Sequence, residues 1–402
     1  VTTTSFENQV LKLAVANAGI EYEGTLDKTN TIVGTFKQGG QSLPLNLSPK
    51  MPEKEKISRP QEPVKPYPYY SEDITFENKT DKITLAGTLT LPKQGGSNFP
   101  AVILISGSGP QNRDEELLGH KPFLILTDHL TKNGIAVLRF DDRGTAESKG
   151  NFKTATTQDF ARDVEAAISY LLTRREINKS KIGLAGHSEG GIIAPMVAAR
   201  SKNVNFIVML AGTGIPGDQL LLLQQELIAR ASGISGKNLL VAKEVNKGAF
   251  DIIVKSSDTE KLKTELTSFI KKQVQNNPEW PRPAGMSEDQ FVNLQVQELT
   301  KPWMVYFIKY DPAPALGKVK CPVLAINGEK DLQVPPKEDL SAIKNALEKG
   351  GNKKVTIKEL PNLNHLFQEC KTGSPSEYAT IEQTFSPVAL NEVSSWILKI
   401  VK

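Results

Sequence analysis

Short apolar runs alternate with longer stretches of helical period along most of this chain. Residues 101–106, 136–140, 182–186 and 206–210 are mainly apolar and too short for helices, so they read as buried strands. Residues 123–133, 159–175 and 190–200 read as helices between them; in the second, Phe160, Val164, Ala167 and Leu171 share one face. Strands alternating with helices predict a mostly parallel central sheet with helices on both faces, an α/β fold. Two earlier runs, 74–76 and 83–91, predict a hairpin that makes the sheet mixed at one edge.

The rhythm breaks after residue 212. Residues 219–231, 237–254, 259–276 and 287–299 all carry helical patterns, with no strand candidate among them. They predict an all-helical cap inserted over 213–304, so that the core is split into 71–212 and 305–402. Alternation resumes with a strand at 323–327, a helix at 336–349, a strand at 354–359 and a last helix at 387–400. At the other end, 10–16, 20–26, 31–36 and 42–47 read as four short strands divided by Gly19, Asp27, Asn30 and Gly39-Gly40. Four strands without a helix bury little, so 1–48 is expected to be the remnant of a small N-terminal β module. Six prolines from Pro49 to Pro68 then mark 49–70 as an extended linker.

Composition narrows the classes. Of 402 residues, 39% are hydrophobic and 23% charged, which excludes a mostly disordered chain. The formal charge is only +4, and no cluster of Lys and Arg interleaved with aromatics occurs, which argues against a nucleic-acid partner. Every apolar run is far too short to span a bilayer. Two cysteines exclude a disulfide-rich scaffold and a cysteine-based zinc site. Cys321 should lie buried at the bottom of its strand and Cys370 near the top of the sheet, so both are expected as free thiols. The first residue is Val1, with no basic stretch leading into an apolar one, which fits a chain whose leader has been removed or trimmed; a periplasmic or secreted location is the favoured expectation, with a cytoplasmic one as the alternative.

The chemistry concentrates at strand ends. The strand at 182–186 runs into Gly186-His187-Ser188-Glu189-Gly190 and then a helix. Such a sharp turn projects the Ser188 hydroxyl above the sheet, and flanking glycines remove side chains that would collide. A serine hydroxyl needs a base. Of the four histidines, His365 alone follows the last strand; His120 and His129 read as packing or surface residues, and the His187 ring should leave the turn in another direction. Asp331, three residues past Gly328, is the candidate to orient His365, with Glu329 its rival. The glycine-rich turn Ser106-Gly107-Ser108-Gly109-Pro110 could offer backbone N–H groups to an oxyanion. Ser108 and Glu189 are the candidate donors, with Gly107 as the alternative to Ser108. Asp141 and Asp142 suggest an internal salt bridge rather than a metal site. Pro302-Trp303-Met304-Val305-Tyr306-Phe307, at the junction of cap and core, is either core packing or a pocket wall formed by Trp303 and Phe307.

Taken with Gln111-Asn112-Arg113-Asp114, Asp141-Asp142-Arg143-Gly144 and Asn364-His365, these motifs resemble the bacterial esterase family of α/β-hydrolases, close to the serine aminopeptidase-like (S33-type) hydrolases. The resemblance covers residues 71–402, and the order Ser188, Asp331, His365 is the order of that fold. It implies carboxylic-ester hydrolysis of a small-molecule substrate, a helical cap, no metal and no cofactor. Residues 33–40 and Leu43-Pro44-Leu45 resemble the end of a β module that precedes such hydrolases. The alternatives are a peptidase of short peptides, with Glu189 or cap carboxylates receiving the free amino terminus, and a thioesterase or acyltransferase using the same triad. A non-catalytic binding protein on a hydrolase scaffold is a different class, and the intact triad argues against it.

Overall fold

The computed structural model describes residues 2–15, 20–38, 41–49, 58–277 and 286–402. The chain divides into two compact units: Val1–Ile57 with Asp251–Thr300, and Ser58–Phe250 with Lys301–Lys402.

In the smaller unit, β1 (Thr3–Glu7), β2 (Val10–Val15), β3 (Ile20–Leu26), β4 (Ile32–Gln38) and β5 (Gln41–Leu47) form an antiparallel meander in chain order. Strand β1 has no counterpart in the sequence reading. It is exposed along its whole length, so no buried face imposes an apolar period on it. Gly24 lies opposite Gly34, and the buried Tyr22 ring crosses the space that both lack; its hydroxyl donates to the carbonyls of Ile32 and Leu45 at 3.1 and 3.0 Å.

The larger unit is built on eight strands: β6 (Tyr70–Asn78), β7 (Ile83–Leu91), β8 (Phe99–Ile105), β9 (Ala136–Phe140), β10 (Ile177–His187), β11 (Phe206–Leu210), β12 (Val323–Gly328) and β13 (Val355–Leu360). Their spatial order is β13-β12-β11-β10-β8-β9-β7-β6. Strand β7 runs antiparallel to β6 and β9, and the remaining pairs are parallel. Alternate residues feed two cores. Ala101, Ile103 and Ile105 of β8 face one side, Val102 and Leu104 the other.

The helices are α1 (Pro122–Lys132), α2 (Thr157–Thr173), α3 (Gly190–Ala198), α4 (Gly217–Ala231), α5 (Gly236–Lys255), α6 (Thr259–Asn276), α7 (Glu288–Leu299), α8 (Pro302–Lys309), α9 (Ala313–Leu316), α10 (Pro336–Lys349) and α11 (Pro387–Val401). Helices α1 and α11 cover one face of the eight-stranded sheet, through Leu126, Leu130, Val393 and Ile397. Helices α2, α3 and α10 cover the other, through Val164, Leu171, Ile193 and Ile343. In the smaller unit α6 and α7 pack on each other. Leu262, Leu266, Ile270 and Val274 bury one stripe of α6, Asp258 caps its first turn, and Ser287 with Gln290 closes a capping box on α7. Among the described residues no helix is long and apolar enough to cross a membrane.

Part of the proline-rich stretch is fixed to the core. The Arg59 guanidinium donates to the carbonyls of Gly119 (3.3 Å), Ala379 (3.2 Å) and Ile381, and the Gln61 amide bonds both ways with Phe385 and accepts from Thr384. Residues 50–57 of the expected linker lie outside the described residues. Cys321 and Cys370 are free thiols. Cys321 is half-buried rather than buried, because it precedes β12 instead of lying within it. Burial still pushes its thiol up to about 11.

Asp339, in the first turn of α10, fixes the place where the chain leaves β11. Its carboxylate accepts from the Thr213 hydroxyl and the Gly214 N–H, both at 2.7 Å. Burial raises its pKa to about 6, against the lowering effect of these bonds. A folded value above the unfolded one, near 3.9, means that folding takes up a proton between about pH 4 and 6. This group therefore contributes stability at low pH that is lost as pH rises through 6, by roughly 2 to 3 kcal/mol. Asp339→Asn, which keeps an acceptor for Gly214, should flatten that part of the pH profile. Urea unfolding on both sides of the window measures it; parallel profiles for the two proteins would refute the assignment.

Candidate active site

Parallel pairing brings the candidate residues to one edge of the larger sheet. Ile105, at the end of β8, pairs with Gly186; His187, at the end of β10, pairs with Leu210; Gly328, at the end of β12, pairs with Leu360. The loops that carry Gly107, Ser188, Asp331 and His365 therefore all emerge from the carboxyl ends of strands, where open α/β sheets bind ligands.

Ser188 sits between β10 and α3 with φ of 53°, a left-handed conformation that a non-glycine residue adopts only when its surroundings enforce it. Its N–H donates to the Leu210 carbonyl and its own carbonyl accepts from Gly191, both at 2.9 Å. A Cβ on Gly186 would lie 1.9 Å from the Gly190 oxygen, and one on Gly190 would lie 2.2 Å from the Ile105 oxygen. The turn closes this tightly only because both positions lack side chains.

His365 and Asp331 meet. His365 Nδ1 lies 2.7 Å from Asp331 Oδ2, and the other carboxylate oxygen accepts from the N–H groups of Gln333 (2.8 Å) and Val334 (2.9 Å). Both side chains are buried. Nδ1 is thereby committed to the carboxylate, and Nε2 is left as the nitrogen that can hold a lone pair. Glu329 is exposed and turns away; its carboxylate accepts the Asn362 N–H at 2.9 Å. The two loops approach closely, since a Cβ on Gly328 would lie 2.3 Å from the Leu363 oxygen.

The turn after β8 abuts Ser188: a Cβ on Gly107 would be 3.2 Å from that of Ser188. The Gly107 N–H is engaged, donating to Glu115 Oε1 at 2.7 Å. Asp142 pins the same turn by accepting from the Ser106 hydroxyl (2.7 Å) and the Gln111 N–H (2.9 Å). Asp141, by contrast, forms the internal salt bridge, with Arg113 at 2.7 Å. Burial drives the Asp142 carboxyl well above its ordinary value, and the charges of Glu189 and Glu115 push the same way against its two hydrogen bonds.

Glu189 is also buried. It accepts from Thr157 Oγ1 (2.7 Å) and Trp303 Nε1 (2.8 Å), with Ser108 as a further side-chain partner. Burial raises its pKa, and these neutral donors offset only part of the rise. The half-buried Trp303 stacks on Phe307, ring centroids 5.0 Å apart, while Phe307 itself is buried in the core.

One residue at this edge, and the pairing it makes with His187, escaped the sequence reading. Glu115, buried with φ of 52°, holds Oε1 2.9 Å from His187 Nδ1, and His187 Nε2 lies 3.0 Å from the backbone carbonyl of His365. The one available signal was a histidine beside the candidate nucleophile and an acid-rich loop after β8, with nothing to pair them. His120, as expected, is a packing residue; it is buried between Thr384 and the Tyr378 carbonyl. Among the described residues no group of His, Cys, Asp and Glu is arranged to hold a metal ion.

This chain is similar to several known proteins. The family model for X-Pro dipeptidyl-peptidases (S15 family) matches residues 81–359. Esterase EstD of Thermotoga maritima is 28% identical over 334 residues, covering 83% of this chain and 70% of EstD. Among solved structures, the α/β hydrolase GrgF from Penicillium superposes with a TM-score of 0.50 at 16% identity, over 83% of this chain and 98% of GrgF. The Pyrococcus furiosus esterase Pf2001 gives 0.48 at 15% identity, over 86% and 97%. The match over residues 81–359 places this chain in the X-Pro dipeptidyl-peptidase (S15) family, and the superposition on GrgF agrees with the α/β-hydrolase fold.

Proposed function

We propose that this protein hydrolyses carboxylic esters through a covalent acyl-enzyme, with Ser188 as nucleophile, His365 as general base and Asp331 as the residue that orients it. One observation carries the reading: the buried 2.7 Å contact of His365 Nδ1 with Asp331, at the same sheet edge as a serine held in strained geometry. Ser188 Oγ attacks the carbonyl carbon while His365 Nε2 takes its proton. The tetrahedral intermediate collapses, the C–O bond to the alcohol breaks, and His365 returns the proton to the leaving oxygen. Water then repeats the sequence on the acyl-enzyme, releasing the acid. Asp331 holds the tautomer and balances the imidazolium. The N–H groups of Ser108 and Glu189 are assigned to the oxyanion; with the Gly107 amide bound to Glu115, Ser108 is favoured as the donor from its turn. Trp303 is assigned to the acyl pocket, with Phe307 supporting it from the core.

Similarity to esterase EstD supports ester cleavage, and the family's description favours a second reading, hydrolysis of peptides at proline. Glu189 is a poor receptor for a peptide amino terminus, since it is buried and its oxygens are taken up by Thr157, Trp303 and Ser108. A panel of p-nitrophenyl esters and X-Pro nitroanilides separates the two readings; turnover confined to the anilides would replace the first with the second.

A fluorophosphonate probe should label the protein once, and Ser188→Ala should abolish both labelling and ester turnover. Label on any other serine would remove Ser188 from its role. Asp331→Asn should lower kcat by roughly three to four orders of magnitude through the wrong histidine tautomer, whereas Glu329→Gln should cost far less. Steady-state kinetics of the two variants decides this, and the opposite ranking would overturn the choice of carboxylate. Trp303→Ala should shift preference among acyl-chain lengths more than it lowers turnover of an acetate ester. An equal loss on every ester would reduce Trp303 to a packing residue.

A further inference from the structure

His187 Nε2 faces a backbone carbonyl, which can only accept, and Nδ1 faces a carboxylate oxygen, which accepts when ionised. Nε2 lies 3.0 Å from the His365 carbonyl, which has no proton to give, so Nε2 must carry one. Nδ1 lies 2.9 Å from Glu115 Oε1, an oxygen that already receives the Gly107 N–H at 2.7 Å. A bare nitrogen lone pair against that oxygen would repel it, so a proton must lie between them as well.

We infer that His187 is held as an imidazolium with Glu115 as its buried counter-ion, and that this pair positions the His365 loop and the Gly107 turn against Ser188. The consequence for turnover rests on the serine-hydrolase reading above; the protonation state does not. His187 is a positioning residue, acting through the His365 backbone. Its ring packs 4.8 Å from that of His365 and 6.4 Å from that of Phe367, and the Asp331 carboxylate is the other nearby charge. Burial works against the charged ring. The charge and hydrogen bond of Glu115, the His365 carbonyl and the charge of Asp331 outweigh it, so that the pKa lies above the ordinary histidine value.

A raised value means that the clamp is intact below that pKa and opens as pH rises through it. The ring then loses one of its two bonds, and turnover should fall on the alkaline side while KM changes little. Glu115→Gln keeps an oxygen for the Gly107 N–H but removes the counter-charge. It should move the alkaline fall down by about one to three pH units, with activity recovered at lower pH. His187→Gln, whose amide can still donate to the His365 carbonyl, should lower kcat about tenfold or more and abolish the His187-dependent limb. A merely structural role would lower thermal stability and kcat together and leave the limb where it was.

The decisive measurement is the nitrogen spectrum of histidine-labelled protein, titrated from neutral to alkaline pH beside the pH dependence of kcat. The His187 signals are picked out from those of the four histidines by their loss in His187→Gln. Two imidazolium-type nitrogens for His187 at neutral pH, and a kcat limb that moves with its titration in Glu115→Gln, are the expected results. A lone-pair-bearing Nδ1 at neutral pH would overturn the imidazolium, and an unmoved limb would overturn the positioning role. Absent ester turnover with an intact imidazolium signal would instead indict the proposed function.

Discussion

A single chain of hydrogen bonds joins the loops at the carboxyl edge of the sheet. The Gly107 N–H gives to Glu115, His187 gives to Glu115 and to the His365 carbonyl, and the His365 ring meets Asp331. Those residues come from the end of β10 and from the turns after β8, β12 and β13. Each strand end is fixed by sheet pairing to within a residue, but loops several residues long are not. The chain of bonds supplies what the sheet cannot, a common register for side chains that must act on one carbonyl group.

The arrangement is costly in charge. Glu115, Asp142 and Glu189 are all buried around Ser188, and Asp142 and Glu189 are satisfied by hydroxyl, amide and indole donors rather than by cations. Desolvation raises both of their pKa values. Arg113, Arg139 and Arg143 instead pair with the acids one layer out, Asp141, Asp114 and Asp163. The strained Ser188 φ adds to the local cost, and the two apolar cores flanking the sheet offset it.

What was legible in the sequence follows from where information is local. Ser188 is announced by glycines whose absence of side chains the turn requires. Asp331 and His365 stand just past strands whose apolar runs are unmistakable, and Glu329 drops out because it is exposed. The His187–Glu115 pair was not legible, since its partners are 72 residues apart and meet only when β8 and β10 pair. Strand β1 lacked a buried face to leave an apolar rhythm, and α8 was hidden because its eight residues form barely two turns with aromatics on several sides. Prolines made residues 58–69 read as spacer, although Arg59 and Gln61 spend their donors on carbonyls more than three hundred residues downstream.

That last attachment bears on how the larger unit can be handled as an isolated piece. Composition would put its first residue near 71, yet excision there would leave the carbonyls of Gly119, Ala379, Ile381 and Phe385 without the donors they now have. The same stretch flanks Tyr378 and Thr384, which hold His120, and Tyr378 accepts from the amide of Gln333, two residues from Asp331. Loosening the strap would therefore be felt beside the acid loop through a second, purely mechanical route. The natural cut for a minimal domain falls before Ser58, so a dozen residues that look like tether travel with the hydrolase as part of its frame.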